Sequence, residues 1–503
     1  MNPEVPRCYL VGAGPGDPGL LTLRGREVLS RAEVVIYDAL VNEVILDHCP
    51  QTCECIAAGK RAGLPSTPQK NIEELIIDRL KAGKRVVRLK GGDPLTFARG
   101  GEEMLAVDAA GFSFEVVPGI TAGMASAAYA GIPMTHRDLT ASVTFVTAHE
   151  QSEAGKVDWR HLAGLGGTLV VYMGTQKMGH WITELLKHGM QADTPAAMIQ
   201  WGTRSDQRVV FSTLAQLEEA SKDLGSPAVV VLGATVSLRE RLHWFEERPL
   251  FGKRVVVTRS QEQNAEISML LRGMGAEVLE IPTISISPIT PDEGWEKRVR
   301  SSQWLAFSSS NGVHSFMSAW LNTYEVRDLA GIRLAAVGPS TAEALRSYYL
   351  TVDLIPEKEY SAAGLAQVWP NSKDSAGKVL YVCGNGAGSD FERGLTLAGI
   401  RVERLEVYQT RHVVDLQWAP ARRFAQEGAD WITFCSGSAV NALASAFPEL
   451  PGKGTRIAAL GPQTAGMLKR AGWHCDVIPT ESSIPRLVEA LCAAELQGRQ
   501  EAK

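Results

Sequence analysis

The chain has 503 residues, 45% of them hydrophobic and 21% charged, a balance that builds packed cores and excludes a mainly disordered protein. At about 150 residues per domain it should form about three units, and its net charge of −5 gives nucleic acid no electrostatic hold. No run approaches the ~20 apolar residues that cross a bilayer, the start has no signal-peptide pattern, and eight scattered cysteines fit reduced thiols, so a cytoplasmic protein off the membrane is expected.

Forty-eight glycines, many in clusters, point to tight strand-to-helix turns. CYLVGAG reads as a strand entering such a turn, LLTLRGREVLSRA as a helix and EVVIYDAL as the next strand. NIEELIIDRLKAGK has apolar residues at helical spacing, and RVVRLKGGDP is again strand then turn. This βαβ order implies a mostly parallel sheet. After PGITAGMASAAYAGIP come four strand-like runs, SVTFVTAHE, TLVVYMGT, AAMIQWGT and AVVVLGATV, read as a second α/β lobe. HWFEERPLFGK then breaks the pattern with proline, glycine and clustered charge before KRVVVTRS starts a new strand, which places the main domain boundary there.

The second half repeats itself. LAFSSSNGVHSF (305–316) aligns with ITFCSGSAVNAL (432–443), and LAAVGPSTAEAL (334–345) with IAALGPQTAGML (457–468). Pro356 stands opposite Pro479 at the same 123-residue offset as Gly338 and Gly461. GKRVVVTR leading to GAEVLEIP likewise matches GKVLYVC leading to GIRVERLEV. Two similar α/β lobes are the simplest account, with a ligand cleft between them.

The first glycine turn has two readings. Gly14-x-Gly16-x-x-Gly19, with Asp38 about 20 residues on, satisfies the dinucleotide fingerprint and would suit a nicotinamide dehydrogenase. Against it, Pro15 and Pro18 have no N–H to offer a pyrophosphate. A second glycine site, RLKGGDP followed by FARGGEE, lets backbone approach a small molecule closely, with Asp93 a carboxylate for a ribose or an amino group.

The order VGAGPGDPGLLTLRG, VVRLKGGDP, ARGGEE, PGITAG, AGIPMTHRD, VVYMGT, TPAAMIQWGT and SPAVVVLGATV, over about residues 6–245, resembles the uroporphyrinogen-III C-methyltransferase family. That resemblance implies a two-lobed tetrapyrrole methylase, a homodimer through this half, that holds S-adenosylmethionine between its lobes; it sets the dehydrogenase aside. Pro15, Gly91, Gly92, Asp93, Thr96, Thr121, Ala122, Met173 and Gly202 fall on the family's cofactor positions. Asp38 and Lys60 match an assigned proton acceptor and donor, while Arg99 and Glu102 match a second pair implicated in substrate handling and proton abstraction; sequence does not rank the two pairs. Leu95-Thr96 and Ala98 depart from the usual residues, which bears on pocket shape rather than reaction class. The implied substrate carries eight carboxylates, for which Lys60, Arg61, Arg88, Lys90, Arg99, His136 and Arg137 are anchors by charge.

Residues 252 to about 490 are similar to uroporphyrinogen-III synthase through VVVTR, SSNGV, AVGPSTAEAL, EYSAAGL, LEVYQT, FCSGSAV and ALGPQTAGML in the family's order. The similarity implies closure of hydroxymethylbilane with inversion of the last ring, without a cofactor. Tyr408 matches the side chain that helps the hydroxyl leave, and Ser309, Ser310, Thr341, Ser436 and Thr464 match cleft donors; helix capping is the competing role of these hydroxyls. His48, Cys49, Cys53 and Cys55 fit no closed four-ligand pattern, and TCECIAAG reads as a strand with alternating faces, so no metal is expected.

The expected layout is a methyltransferase over 1–245 (lobes about 1–118 and 119–245), a linker at 246–251, and a synthase over 252–497 (lobe one about 252–287 plus 411–497, lobe two about 288–410). The expected function is conversion of hydroxymethylbilane to uroporphyrinogen III and then, by methylation at carbons 2 and 7, to precorrin-2. The alternative is an active methyltransferase whose synthase-like half only binds or delivers tetrapyrrole.

Overall fold

The computed structural model describes residues 7–50, 52–58, 68–148, 157–258, 264–283, 285–357, 359–370, 377–411, 414–452 and 454–501. The chain forms two compact units, one of Met1–Lys253 with Leu271–Glu277 and Glu495–Lys503, the other of Arg254–Leu270 and Val278–Ala494.

The first unit has two sheets. β1 (Cys8–Gly12), β2 (Val34–Tyr37), β3 (Glu54–Ala57), β4 (Val86–Lys90) and β5 (Phe114–Val117) lie in the order β3-β2-β4-β1-β5, all parallel. Alternation along β1 divides the core: Cys8 and Leu10 pack with Ile72, Ile76 and Leu80, which are spaced four apart on the helix Gln69–Lys81. Tyr9 and Val11 face the other way, onto Val28 and Leu29 of the helix Leu23–Leu29, which Thr22 caps by accepting from the Gly25 N–H. With both faces covered, β1 and β4 are buried along their whole length.

β6 (Val143–Thr147), β7 (Thr168–Tyr172), β8 (Pro195–Gln200), β9 (Arg208–Thr213) and β10 (Ala228–Leu232) form the second sheet, in the order β6-β7-β10-β8-β9. Only β6 and β7 are parallel; the other three pairings are antiparallel, so the second lobe departs from the parallel pattern of the first. β9, an edge strand with no fully buried residue, was not among the four expected runs. Trp181, fully buried, stacks on Trp159 on one face of this sheet, and Ala127, Ala130 and Ile132 pack on the other. The stretch expected as a linker is packed into this unit: Leu250 is fully buried, and Glu246 pairs with Arg239 at 2.6 Å and accepts from Gln207 at 3.0 Å.

In the second unit, β11 (Arg254–Val257), β12 (Glu277–Glu280), β18 (Trp431–Phe434) and β19 (Arg456–Ala459) make a sheet ordered β12-β11-β18-β19. β13 (Ser285–Pro288), β14 (Trp304–Phe307), β15 (Arg333–Ala336), β16 (Val379–Gly384) and β17 (Val402–Arg411) make another, ordered β13-β17-β16-β14-β15. Apart from the extra edge strand β13, antiparallel to β17, the two orders are the same. The repeat reaches single interactions: Asp353 accepts from the Leu334 N–H and Asp476 from the Ile457 N–H, each at 2.7 Å. The Arg333 guanidinium lies 4.4 Å from the Trp304 ring centre and Arg456 lies 4.1 Å from that of Trp431.

Candidate active sites

In the first unit the ends of β1 and β4 are joined by their glycine turns. The Ala13 N–H donates to the Lys90 carbonyl at 2.8 Å, and Gly14 and Gly92 exchange hydrogen bonds of 3.1 and 2.8 Å. A Cβ on Gly12 would stand 2.5 Å from the Gly119 Cα and 2.7 Å from the Gly92 oxygen, so three backbone segments meet where no side chain fits. Asp93 holds this junction: Oδ1 accepts from the Leu95 N–H and the Thr96 hydroxyl, and Oδ2 from the Gly119 N–H at 3.1 Å. The Asp93 carboxylate thus shapes the turn from within.

The network continues into the second lobe. Beyond Gly119, the Thr121 hydroxyl and the Gly123 N–H both meet the Tyr172 hydroxyl at 2.7 Å, and burial raises that phenol's pKa. Phe97 packs on the Tyr172 ring at 4.9 Å, and Met173, next in the chain, is half-exposed. The Asp17 N–H donates to the Thr203 hydroxyl at 3.0 Å, while Asp17 Oδ2 accepts from the Tyr129 hydroxyl at 2.8 Å. Gly202 lies against the helix Ala122–Tyr129, where a Cβ would come within 2.1 Å of the Ser126 hydroxyl oxygen. Pro15, Gly91, Gly92, Asp93, Thr96, Thr121, Ala122, Met173 and Gly202 therefore belong to connected loops. Among the described residues, Phe97, Arg99, Met173, Trp201 and Thr203 have positive φ in or beside these loops, a concentration of backbone strain typical of binding sites.

Beneath the loops lies a charged cluster. Arg88 and Lys90, two apart on β4, are each 2% exposed; Arg88 donates to Glu103 at 3.0 Å and to Asp38, and Lys90 donates to both Glu103 oxygens at 3.0 Å. Glu103, on the helix Gly100–Ala109, is fully buried. Burial works against the Arg88 charge, but Asp38 and Glu103 outweigh it and its pKa is raised; burial, with repulsion from Arg88, lowers that of Lys90. These two cations are structural partners of carboxylates, which corrects their reading as substrate anchors. Asp38, 29% exposed, reaches the surface with Arg88 behind it. Lys60 and Arg61 lie outside the described residues. Arg99 and Glu102 pair with each other at 3.0 Å, both about half exposed, and His136 and Arg137 sit in a turn closed by two hydrogen bonds between His136 and Thr140.

In the second unit, Tyr408 is placed by a β-bulge. The pairing of β16 with β17 steps from Cys383 opposite Glu406 to Gly384 opposite Tyr408, and a Cβ on Gly384 would stand 2.5 Å from the Tyr408 ring. The Tyr408 hydroxyl meets the Ser309 oxygen at 3.0 Å, and that oxygen also accepts from the Gly312 N–H, capping the helix Ser310–Trp320, whose first residue is Ser310. Ser436 caps the equivalent helix Gly437–Ala446 through the Ala439 N–H. Thr341 and Thr464 are buried in the first turns of the helices Pro339–Arg346 and Pro462–Arg470. Tyr172, Glu103, Tyr129 and Gly384 were not singled out from sequence; each acts through a partner distant in the chain, so no local pattern marks it.

These two sites define a protein that joins two α/β enzymes of tetrapyrrole chemistry. Residues 7–218 match the family model of the tetrapyrrole (corrin/porphyrin) methylases, and residues 265–489 that of uroporphyrinogen-III synthase HemD. The porphyrin biosynthesis protein HemD of Ruminiclostridium josui is 34% identical over 495 residues, covering 96% of this chain and 97% of that protein. The chain belongs to that protein's family, a methyltransferase fused to a uroporphyrinogen-III synthase. Siroheme synthase 2 of Aeromonas salmonicida is 48% identical over 245 residues, 49% of this chain, which spans about half (51%) of that relative's length. A uroporphyrin-III C-methyl transferase from Thermus thermophilus, solved with S-adenyl homocysteine, aligns at 39% identity with a TM-score of 0.41, over 46% of this chain and 99% of that one. No helix among the described residues is long and apolar enough to cross a membrane.

The buried charges make a stability prediction. Glu103→Ala leaves Arg88 and Lys90 without their shared carboxylate and should destabilise the first unit by about 3–5 kcal/mol in chemical denaturation. Adding Lys90→Met to that variant should recover part of the loss.

Proposed function

We propose that the chain catalyses two consecutive steps, closure of hydroxymethylbilane to uroporphyrinogen III in the second unit and its double methylation to precorrin-2 in the first. The observation that carries the reading is the set of hydrogen bonds that joins the loops at Gly14, Gly92, Asp93 and Gly119, with those between Thr121 and Tyr172 beside them, together with full-length similarity to a porphyrin biosynthesis protein.

The first unit's loops suit S-adenosylmethionine. A Cβ on Gly91 would meet only Leu40, at 3.4 Å, so a small molecule can lie directly on the backbone there. Gly91, Gly92, Thr121, Ala122, Met173 and Gly202 would hold it, with Pro15 shaping the first turn. When bound, it supplies an electrophilic methyl group on a sulfonium. The chain's residues align the acceptor and exclude water, and such positioning is the main source of acceleration in an in-line transfer. Arg61, His136 and Arg137 supply cationic contacts for the tetrapyrrole carboxylates. Asp38 is the proton acceptor for the methylated ring carbon, because Arg88 fixes its carboxylate from behind while one side stays open. The exposed Arg99–Glu102 pair handles substrate, and Lys60 returns a proton.

Asp38→Asn should therefore lower kcat by about 10²–10⁴-fold, whereas Glu102→Gln should chiefly raise KM; steady-state kinetics with uroporphyrinogen III check this, and the reverse pattern would move the base to Glu102.

In the second unit, Tyr408 donates its proton to the departing hydroxyl and is aimed by Ser309 and by its seat on Gly384. Ser310, Thr341, Ser436 and Thr464, each at or beside a helix start, are the hydroxyls offered to the substrate. The reduced chain given hydroxymethylbilane without S-adenosylmethionine should yield the type III isomer, and Tyr408→Phe should slow that reaction at least tenfold. Only spontaneous type I closure would leave a second half that merely binds or delivers tetrapyrrole.

The first unit also pairs with a second copy. An open pocket of about 630 Å³ lined by Met124, Ile132, Pro133, Met134, Leu242 and Trp244 leaves Met124, Leu242 and Trp244 about half exposed, an apolar surface suited to a partner. Sedimentation should give twice the chain mass, and Trp244→Glu should give the monomer.

A further inference from the structure

Three thiols that the proposed reactions do not use converge at the edge of the first unit's parallel sheet. Cys49 ends the short helix Glu43–His48, Cys53 follows the intervening turn, and Cys55 lies on the edge strand β3. Their sulfur atoms lie within 4.8 Å of one another, and this is the one such group of potential ligands among the described residues. Sequence alternation was read above as separating these side chains. Cys53 immediately precedes β3, two residues before Cys55, and their sulfur atoms come together nonetheless. The Cys53 N–H closes the turn onto the Pro50 carbonyl at 2.9 Å and brings Cys49 back over them.

We propose that Cys49, Cys53 and Cys55 form a three-thiolate site for one thiophilic d10 cation, zinc or cuprous copper. A metal–sulfur bond of about 2.3 Å places two sulfurs on one ion roughly 4 Å apart, so the group needs only sub-ångström adjustment to close. Cys49 and Cys53 are half-buried against the core of Leu46 and Val41, while Cys55 is exposed, which leaves the ion one open side for a water or an exogenous ligand. Thiolate sulfur selects zinc and cuprous copper over magnesium or calcium. Each thiol that binds releases its proton to solvent and gives a sulfur electron pair to the ion; no electron changes hands, so no oxidant or reductant is needed. A disulfide, in contrast, would require a two-electron oxidant and leave the third sulfur unused. The bound ion would tie β3, the edge strand of its sheet among the described residues, to the segment that follows Asp38.

The test uses the reduced, metal-free full chain titrated anaerobically with zinc, cadmium and cuprous ions. One equivalent of cation should produce a sulfur-to-metal charge-transfer band with cadmium or copper and raise the melting temperature. Cys49→Ser, Cys53→Ser and Cys55→Ser should each weaken binding at least tenfold, while Cys475→Ser should not. In the unmodified chain, one equivalent of zinc should slow alkylation of these three thiols at least tenfold relative to Cys475, a readout that survives misfolding of any variant. Equal alkylation rates with and without each ion, binding unaffected by all three serine variants, or a disulfide joining two of these sulfurs in the chain isolated anaerobically would overturn the proposal.

Discussion

The first unit depends on the balance of four charges around β4. Two cations, Arg88 and Lys90, are placed inside a parallel sheet packed on both faces, where an unpaired charge would be prohibitive. Glu103 answers both from the helix Gly100–Ala109, and Asp38 answers Arg88 from the end of β2. The cluster therefore sets the helix against the sheet and orients Asp38 at the surface. The loops above it can be thin and glycine-rich because rigidity comes from below.

The loop layer uses a different device. Gly12, Gly92 and Gly119 let three backbones touch, and Asp93 locks the contact by accepting three hydrogen bonds. Tyr172 does the same for the second lobe, with one hydroxyl serving Thr121 and Gly123. Polar side chains are thus spent on holding loop backbone in shape, while a Cβ on Gly91 would meet only Leu40.

In the second unit, duplication supplies the scaffold and a local irregularity supplies the difference. The paired aspartates and Arg–Trp stacks recur in both sheets, which marks them as structural, and serine caps recur with them. Tyr408 stands apart because the register shift at Gly384 turns it onto Ser309. The repeat was legible in sequence because glycine turns and serine caps are local. The bulge was not, since it is a property of pairing between two strands. The antiparallel pairing of the first unit's second sheet was not legible for a related reason: its short strand runs carry no mark of direction.

The sequence by itself determined the two families, the parallel βαβ lobe, the duplicated second half and the loops that gather at the methylase site, because ordered motifs and turn chemistry are written in neighbouring residues. Tertiary structure alone decided what the individual polar groups do. Arg88 and Lys90 read as substrate anchors until Glu103, 15 and 13 residues away, is seen buried between them. Asp93 is seen to lock its turn only once Gly119 reaches it. Cys49, Cys53 and Cys55 read as dispersed until the turn before β3 folds them together. In each case charge and residue type were visible in the chain, but burial and partner, which set the free energy of a polar group, exist only once distant segments have met.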